Sequence, residues 1–166
     1  MTSLSIDFGQ DCDNCSDWFV VLDGVMGGLS TGELSKTENS FVLQGEVSLE
    51  NNGGFASLRS DYKTYDLSGF TSVTIRYRST GQDFGFTLNK YKRFWQPNYK
   101  ANLPQTDGEW EEVSLLLKDF SRYRLGTKIT GNPTTDDLSK IIRLGFISNT
   151  KAATAYTFEV DKITFE

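Results

Sequence analysis

FVLQGEVSLENNGGFASLRS, residues 41–60, decides how the chain is read. Phe41, Leu43, Val47 and Leu49 share one parity, and Gln44, Glu46, Ser48 and Glu50 share the other. That is the period-2 alternation of a strand with one face in a core and the other in water. The run stops at Asn51-Asn52-Gly53-Gly54. Asn tolerates left-handed backbone and Gly has no Cβ to clash, so the segment reads as a hairpin reversal into a second strand from Phe55.

The same alternation recurs outward from this stretch. Val73, Ile75 and Tyr77 alternate with Thr74, Arg76 and Arg78; Phe84, Phe86 and Leu88 alternate with Gly85, Thr87 and Asn89; Tyr156, Phe158 and Val160 alternate with Thr157, Glu159 and Asp161. Turn-forming groups separate the runs: Leu67-Ser68-Gly69, Ser79-Thr80-Gly81, Thr106-Asp107-Gly108 and Gly131-Asn132-Pro133. No stretch sustains a 3.6-residue period; a short helix is expected near 136–140, capped from Thr135-Asp136-Asp137. Short strands at turn-marked intervals, without βαβ alternation, predict an all-β sandwich. With 166 residues and no internal repeat or linker, one domain over 1–166 is expected.

Composition narrows the function classes. A hydrophobic content of 37% with 23% charged residues suits a folded core. The net charge of −5 disfavours a whole-domain grip on nucleic acid, and the apolar runs are too short for direct membrane insertion. The N-terminus, MTSLSIDFGQDCDNC, has no basic region followed by a long apolar core, which predicts a cytoplasmic address, mitochondrial only if a presequence was removed. There is no His, so His-based triads and His metal ligands are excluded. Cys12 and Cys15 form a CxxC without further Cys or His, short of the four ligands of a structural zinc site. No metal site and no cofactor is assigned.

DGVMGG, residues 23–28, is the second glycine-rich motif. It lacks the spacing of a phosphate-binding loop, and no Lys-Ser or Lys-Thr follows. Asp23 is expected to bond backbone amides two residues on, while Gly24, Gly27 and Gly28 permit tight packing. Trp18, DGVMGGLS (23–30) and FVLQGEVSLENNGGFASLRS (41–60), continuing through YDLSGFTSVTIRYRSTG (65–81) and GEWEEVSLLLKDF (108–120), together resemble the signature of the complex I intermediate-associated protein 30 family. The resemblance implies a galactose-binding-domain-like jelly-roll sandwich. It also implies a non-enzymatic, chaperone-like binding protein, since mitochondrial members assist assembly of respiratory complex I.

Three groups are candidate sites. The signature residues Asp23, Gly24, Gly27, Gly28, Glu50, Asn51, Asn52, Gly53, Gly54 and Arg59 read as a polar clamp or a binding patch, with Arg59, if half-buried, pairing Asp23 or Glu50. Arg76 and Arg78 are expected on a concave sheet face or a solvated one. The stretch NKYKRFWQPNYKANL (89–103) interleaves Tyr91, Arg93, Trp95 and Tyr99 with lysines, a pattern for a protein partner or, alternatively, a carbohydrate. Nothing singles out a catalytic carboxylate pair. The expected partners are proteins, of a membrane-bound complex if the resemblance extends that far, with carbohydrate as the alternative ligand.

Overall fold

The computed structural model describes residues 3–9, 17–50 and 54–166. Two antiparallel sheets pack face to face as a jelly-roll sandwich. The first contains β1 (Leu4–Asp7), β3 (Thr31–Lys36), β4 (Phe41–Glu46), β6 (Ser72–Thr80), β9 (Glu111–Leu116) and β13 (Ala155–Phe165). Its order is β3-β4-β13-β6-β9. One edge of β13 pairs β4 along its first half and β1 along its second, while the other pairs β6 with a register shift between Val160 and Lys162. The second sheet contains β2 (Trp18–Leu22), β5 (Ala56–Ser60), β7 (Phe84–Asn89), β8 (Asn98–Leu103), β10 (Ser121–Arg124), β11 (Thr127–Ile129) and β12 (Arg143–Ser148). Its order is β11-β10-β8-β7-β12-β5-β2.

The inward parities meet in an aromatic core. Phe84 and Phe146, from the seven-stranded sheet, lie 4.5 and 4.9 Å from Phe158 of the six-stranded sheet, and Phe86 packs on Phe146 at 5.2 Å. All four are buried. Burying such rings supplies the main favourable contribution to folding, and offset or tilted contacts add to it. In β6 buried and half-buried residues alternate cleanly, as the sequence pattern of Val73, Ile75 and Tyr77 requires.

Two local expectations need correction. The 41–60 stretch is not a hairpin: β4 pairs β3 and β13, whereas β5 pairs β2 and β12, so the chain crosses from one sheet to the other. Regular pairing ends at Glu46. Val47 then donates its amide to Thr154 and stays buried, while Leu49, expected inward, is 47% exposed. Leaving the sheet breaks the parity, because period 2 holds only while the ladder continues. The short helix α1 (Thr135–Leu138) starts and ends earlier than the expected 136–140, and its N-cap is Thr134, one residue before the expected cap, in a capping box with Asp137.

Among the described residues no helix is long and apolar enough to cross a membrane.

Candidate functional site

The signature residues meet where the chain crosses between sheets. DGVM (Asp23–Met26) winds into a 3-10 turn directly after β2, and Gly27 ends it with a positive φ of 86°. Asp23 is fully buried. Its carboxylate accepts from the Ser30 amide at 2.9 Å, from the Ser30 hydroxyl, and from the amides of Gly54 at 2.6 Å and Phe55 at 3.3 Å. Ser30 Oγ also accepts from the Ser48 amide at 2.9 Å. Two side chains thereby tie the 23–30 turn to the crossover, Ser30 at its Ser48 end and Asp23 at its Gly54-Phe55 end. Burial alone would raise the Asp23 pKa; hydrogen bonds from the Ser30 hydroxyl and the Gly54, Ser30 and Phe55 amides outweigh it and hold the pKa below the ordinary value of 3.8. The amides bound lie seven, 31 and 32 residues on, rather than two.

Gly28 is required by close approach. A Cβ there would stand 2.4 Å from Asp23 Cγ, so any side chain would push the carboxylate off its donors. Gly54 holds a positive φ of 145°, while Gly24 has open space around it. Asn51, Asn52 and Gly53 lie outside the described residues, as do Cys12 and Cys15. Glu50 is exposed beside Leu29, Thr31 and Ser48.

Arg59 does not pair Asp23 or Glu50. It points outward from β5, its Nε donating to Ser57 Oγ at 3.1 Å, and its charge sits near that of Arg143. The reason is parity: Leu58 enters the core, so Arg59 faces away from the clamp. Burial and then the Arg143 charge lower the Arg59 pKa. Arg143 lies 3.7 Å from the Tyr62 ring and 5.1 Å from that of Phe19.

Arg76 and Arg78 occupy the outer side of β6 in the six-stranded sheet, each committed to a carboxylate: Asp161 at 3.0 Å and Glu159 at 2.8 Å. Both guanidinium groups also lie over Trp110, at 4.3 and 4.8 Å. The 89–103 stretch divides. Phe94, 76% exposed, packs edge-on to Trp95, and Arg93 lies 5.2 Å from the Trp95 ring. Tyr91 is exposed with Lys90 over its ring. Tyr99, expected at the surface, is instead 5% exposed, because it follows the inward parity of β8 beside Leu88. Its hydroxyl donates to Asp137, and burial together with that bond pushes its pKa up to about 12.

Sequence reasoning missed Tyr62, Trp110 and Arg143. The alternation in RLGFIS marks Arg143 as outward-facing, but only strand pairing reveals that Arg59 stands near it. Among the described residues there is no group of three or more Cys, Asp or Glu placed to hold a metal ion.

Two facing antiparallel sheets in this strand order form a galactose-binding-like jelly-roll sandwich. The family model for complex I intermediate-associated protein 30 matches residues 6–160, and the chain belongs to that family. Comparison with curated proteins gives no match. The fold is similar to that of the family 11 carbohydrate-binding module of the cellulosomal cellulase Lic26A-Cel5E of Clostridium thermocellum, with a TM-score of 0.72 and 14% identity over 99% of this chain and 94% of that one. A family 11 module from Clostridium thermocellum in complex with a β-1,3-1,4-mixed-linked tetrasaccharide gives 0.69 and 16%, covering 98% and 94%. An agarase, AgWH50C, gives 0.62 and 10%, covering 98% of this chain and 24% of that one.

Proposed function

We propose that this protein is a non-catalytic binding domain that holds a protein partner during assembly of a larger complex, in keeping with the complex I assembly role its family name suggests. The observation that carries this reading is the state of Asp23. The signature carboxylate is buried and accepts four hydrogen bonds, so it serves as a structural pin rather than as an acid, a base or a nucleophile facing substrate. What the fold presents outward is rigid sheet surface and the aromatic, basic 89–97 loop, a residue mix typical of protein-binding hot spots. Quantitative co-purification at endogenous expression level tests this: a reproducible stoichiometric protein partner supports it, and recovery of none overturns it.

Carbohydrate binding is the second reading. It is supported by the likeness to carbohydrate-binding modules, which extends to the fold alone, and by the exposed Trp95 ring. Calorimetry against a panel of neutral oligosaccharides tests it, and absence of heat at millimolar sugar removes it.

A further inference from the structure

The two sheets differ in charge. The seven strands of the β11-to-β2 sheet contain no Asp or Glu, yet carry Arg59, Lys100, Arg122, Arg124, Lys128 and Arg143. The six-stranded sheet carries carboxylates on β1, β3, β4, β9 and β13, two of them paired with Arg76 and Arg78. On a chain of net charge −5, one sheet is purely cationic.

Strand pairing sorts four of those cations onto the outward face in two adjacent rows. One row runs Ser121, Lys100, Thr87, Gly145, Arg59, Phe19. The next runs Lys128, Tyr123, Asn98, Asn89, Arg143. Among the described residues, none of these four cations has a carboxylate within ion-pair distance. Lys100 lies flat, its stem over Gly85, and donates to Asn149 Oδ1 at 2.7 Å; burial and then Lys151 lower its pKa. At the rim, Asp83 is already engaged by Asn102 Nδ2 and the Gln105 amide. Arg59, Lys100 and Arg143 are half-buried and meet only neutral acceptors and rings, so an anion brought by a partner would gain an ion pair in a partly desolvated setting.

The rings on this side hold cations in place. Lys100 lies 4.1 Å from the Tyr123 ring, Arg143 3.7 Å and Lys92 5.1 Å from that of Tyr62, and Arg93 5.2 Å from that of Trp95. These contacts order the guanidinium and ammonium groups, and ordered guanidinium groups suit carboxylates. Lys100 and Arg59 stand three strand steps apart, roughly 14 Å, the reach of about four residues of extended chain.

We propose that the outward face of the seven-stranded sheet, with the adjoining Lys92–Trp95 corner, docks an acidic extended segment of the partner protein. The proposal rests on the protein-binding reading above and adds where and by what chemistry the partner is held. Charge complementarity of this kind sets association rate and orientation and is screened by salt.

The test is an amide chemical-shift titration of the full chain with a poly-L-glutamate peptide at low salt, with polygalacturonate and an oligo-dT strand of matched charge as competitors. The expected result is shifts confined to β5, β7, β8 and β12, binding lost at high salt, and about tenfold weaker affinity in a Lys100→Glu/Arg143→Glu variant. Arg76→Glu, on the other sheet, should bind as the unsubstituted protein does. A Lys100→Gln/Arg143→Gln variant guards against misfolding and should also lose affinity. Shifts scattered over both sheets, no binding, or tighter binding of polygalacturonate or oligo-dT on this face each overturn the proposal. If the co-purified partner is recovered equally by the charge-reversed variant, docking on this face fails while the protein-binding reading stands; if the unsubstituted protein recovers none, that reading itself fails.

Discussion

Asp23 keeps its charge inside the protein because two hydrogen bonds from Ser30 and two crossover amides replace the water it lost. Asp23→Asn substitutes a donor for one acceptor and leaves an amide facing amides. It should cost about 3 kcal/mol in chemical denaturation. Because the folded carboxylate has the lower pKa, its contribution is complete above the ordinary carboxylate value and is lost as pH falls through the folded one. The unsubstituted protein should therefore lose stability in acid, below about pH 4, with a steeper pH dependence there than the Asn variant. Gly28→Ala should cost about 2 kcal/mol, measured the same way, since its methyl meets Asp23 Cγ. The need for glycine was legible in DGVMGG. Its purpose was not, because the partners of Asp23 lie up to 32 residues away and are fixed by the inter-sheet crossing.

Among elements, alternation was the dependable signal: β4, β6, β7 and β13 follow the parities of Phe41, Val73, Phe84 and Tyr156. The β4–β5 connection was misjudged because the sequence Asn-Asn-Gly-Gly reads the same whether the chain closes a hairpin or passes to the facing sheet. Only the pairing of β5 with β2 and β12 separates the two. In α1 the Thr134…Asp137 spacing is a capping box, and reading Thr135 as the cap missed the bond that the Thr134 amide donates back to the Asp137 carboxylate. Thr134→Ala should lower stability by about 1 kcal/mol and speed amide exchange across Thr135–Leu138. Because Asp137 also holds Lys90 at 2.6 Å and Tyr99 at 2.8 Å, that exchange should spread into the start of the aromatic loop.

At the scale of the whole molecule, the proposed docking face and the signature clamp fall on different parts of the sandwich. The signature clamp, buried between the sheets, fixes the crossover. The strands of the seven-stranded sheet, free of acidic residues, carry their unpaired cations on the outward face, away from the buried Asp23 carboxylate. Composition hid this, since a net charge of −5 averages two unlike faces. The division of labour is tested most directly by the amount of partner co-purified per folded molecule in two variants. Asp23→Asn should lose stability yet retain partner once corrected for folded fraction, whereas Lys100→Glu/Arg143→Glu, corrected in the same way, should lose most of the partner. Loss of partner by folded Asp23→Asn, with full retention by the charge-reversed protein, would contradict it.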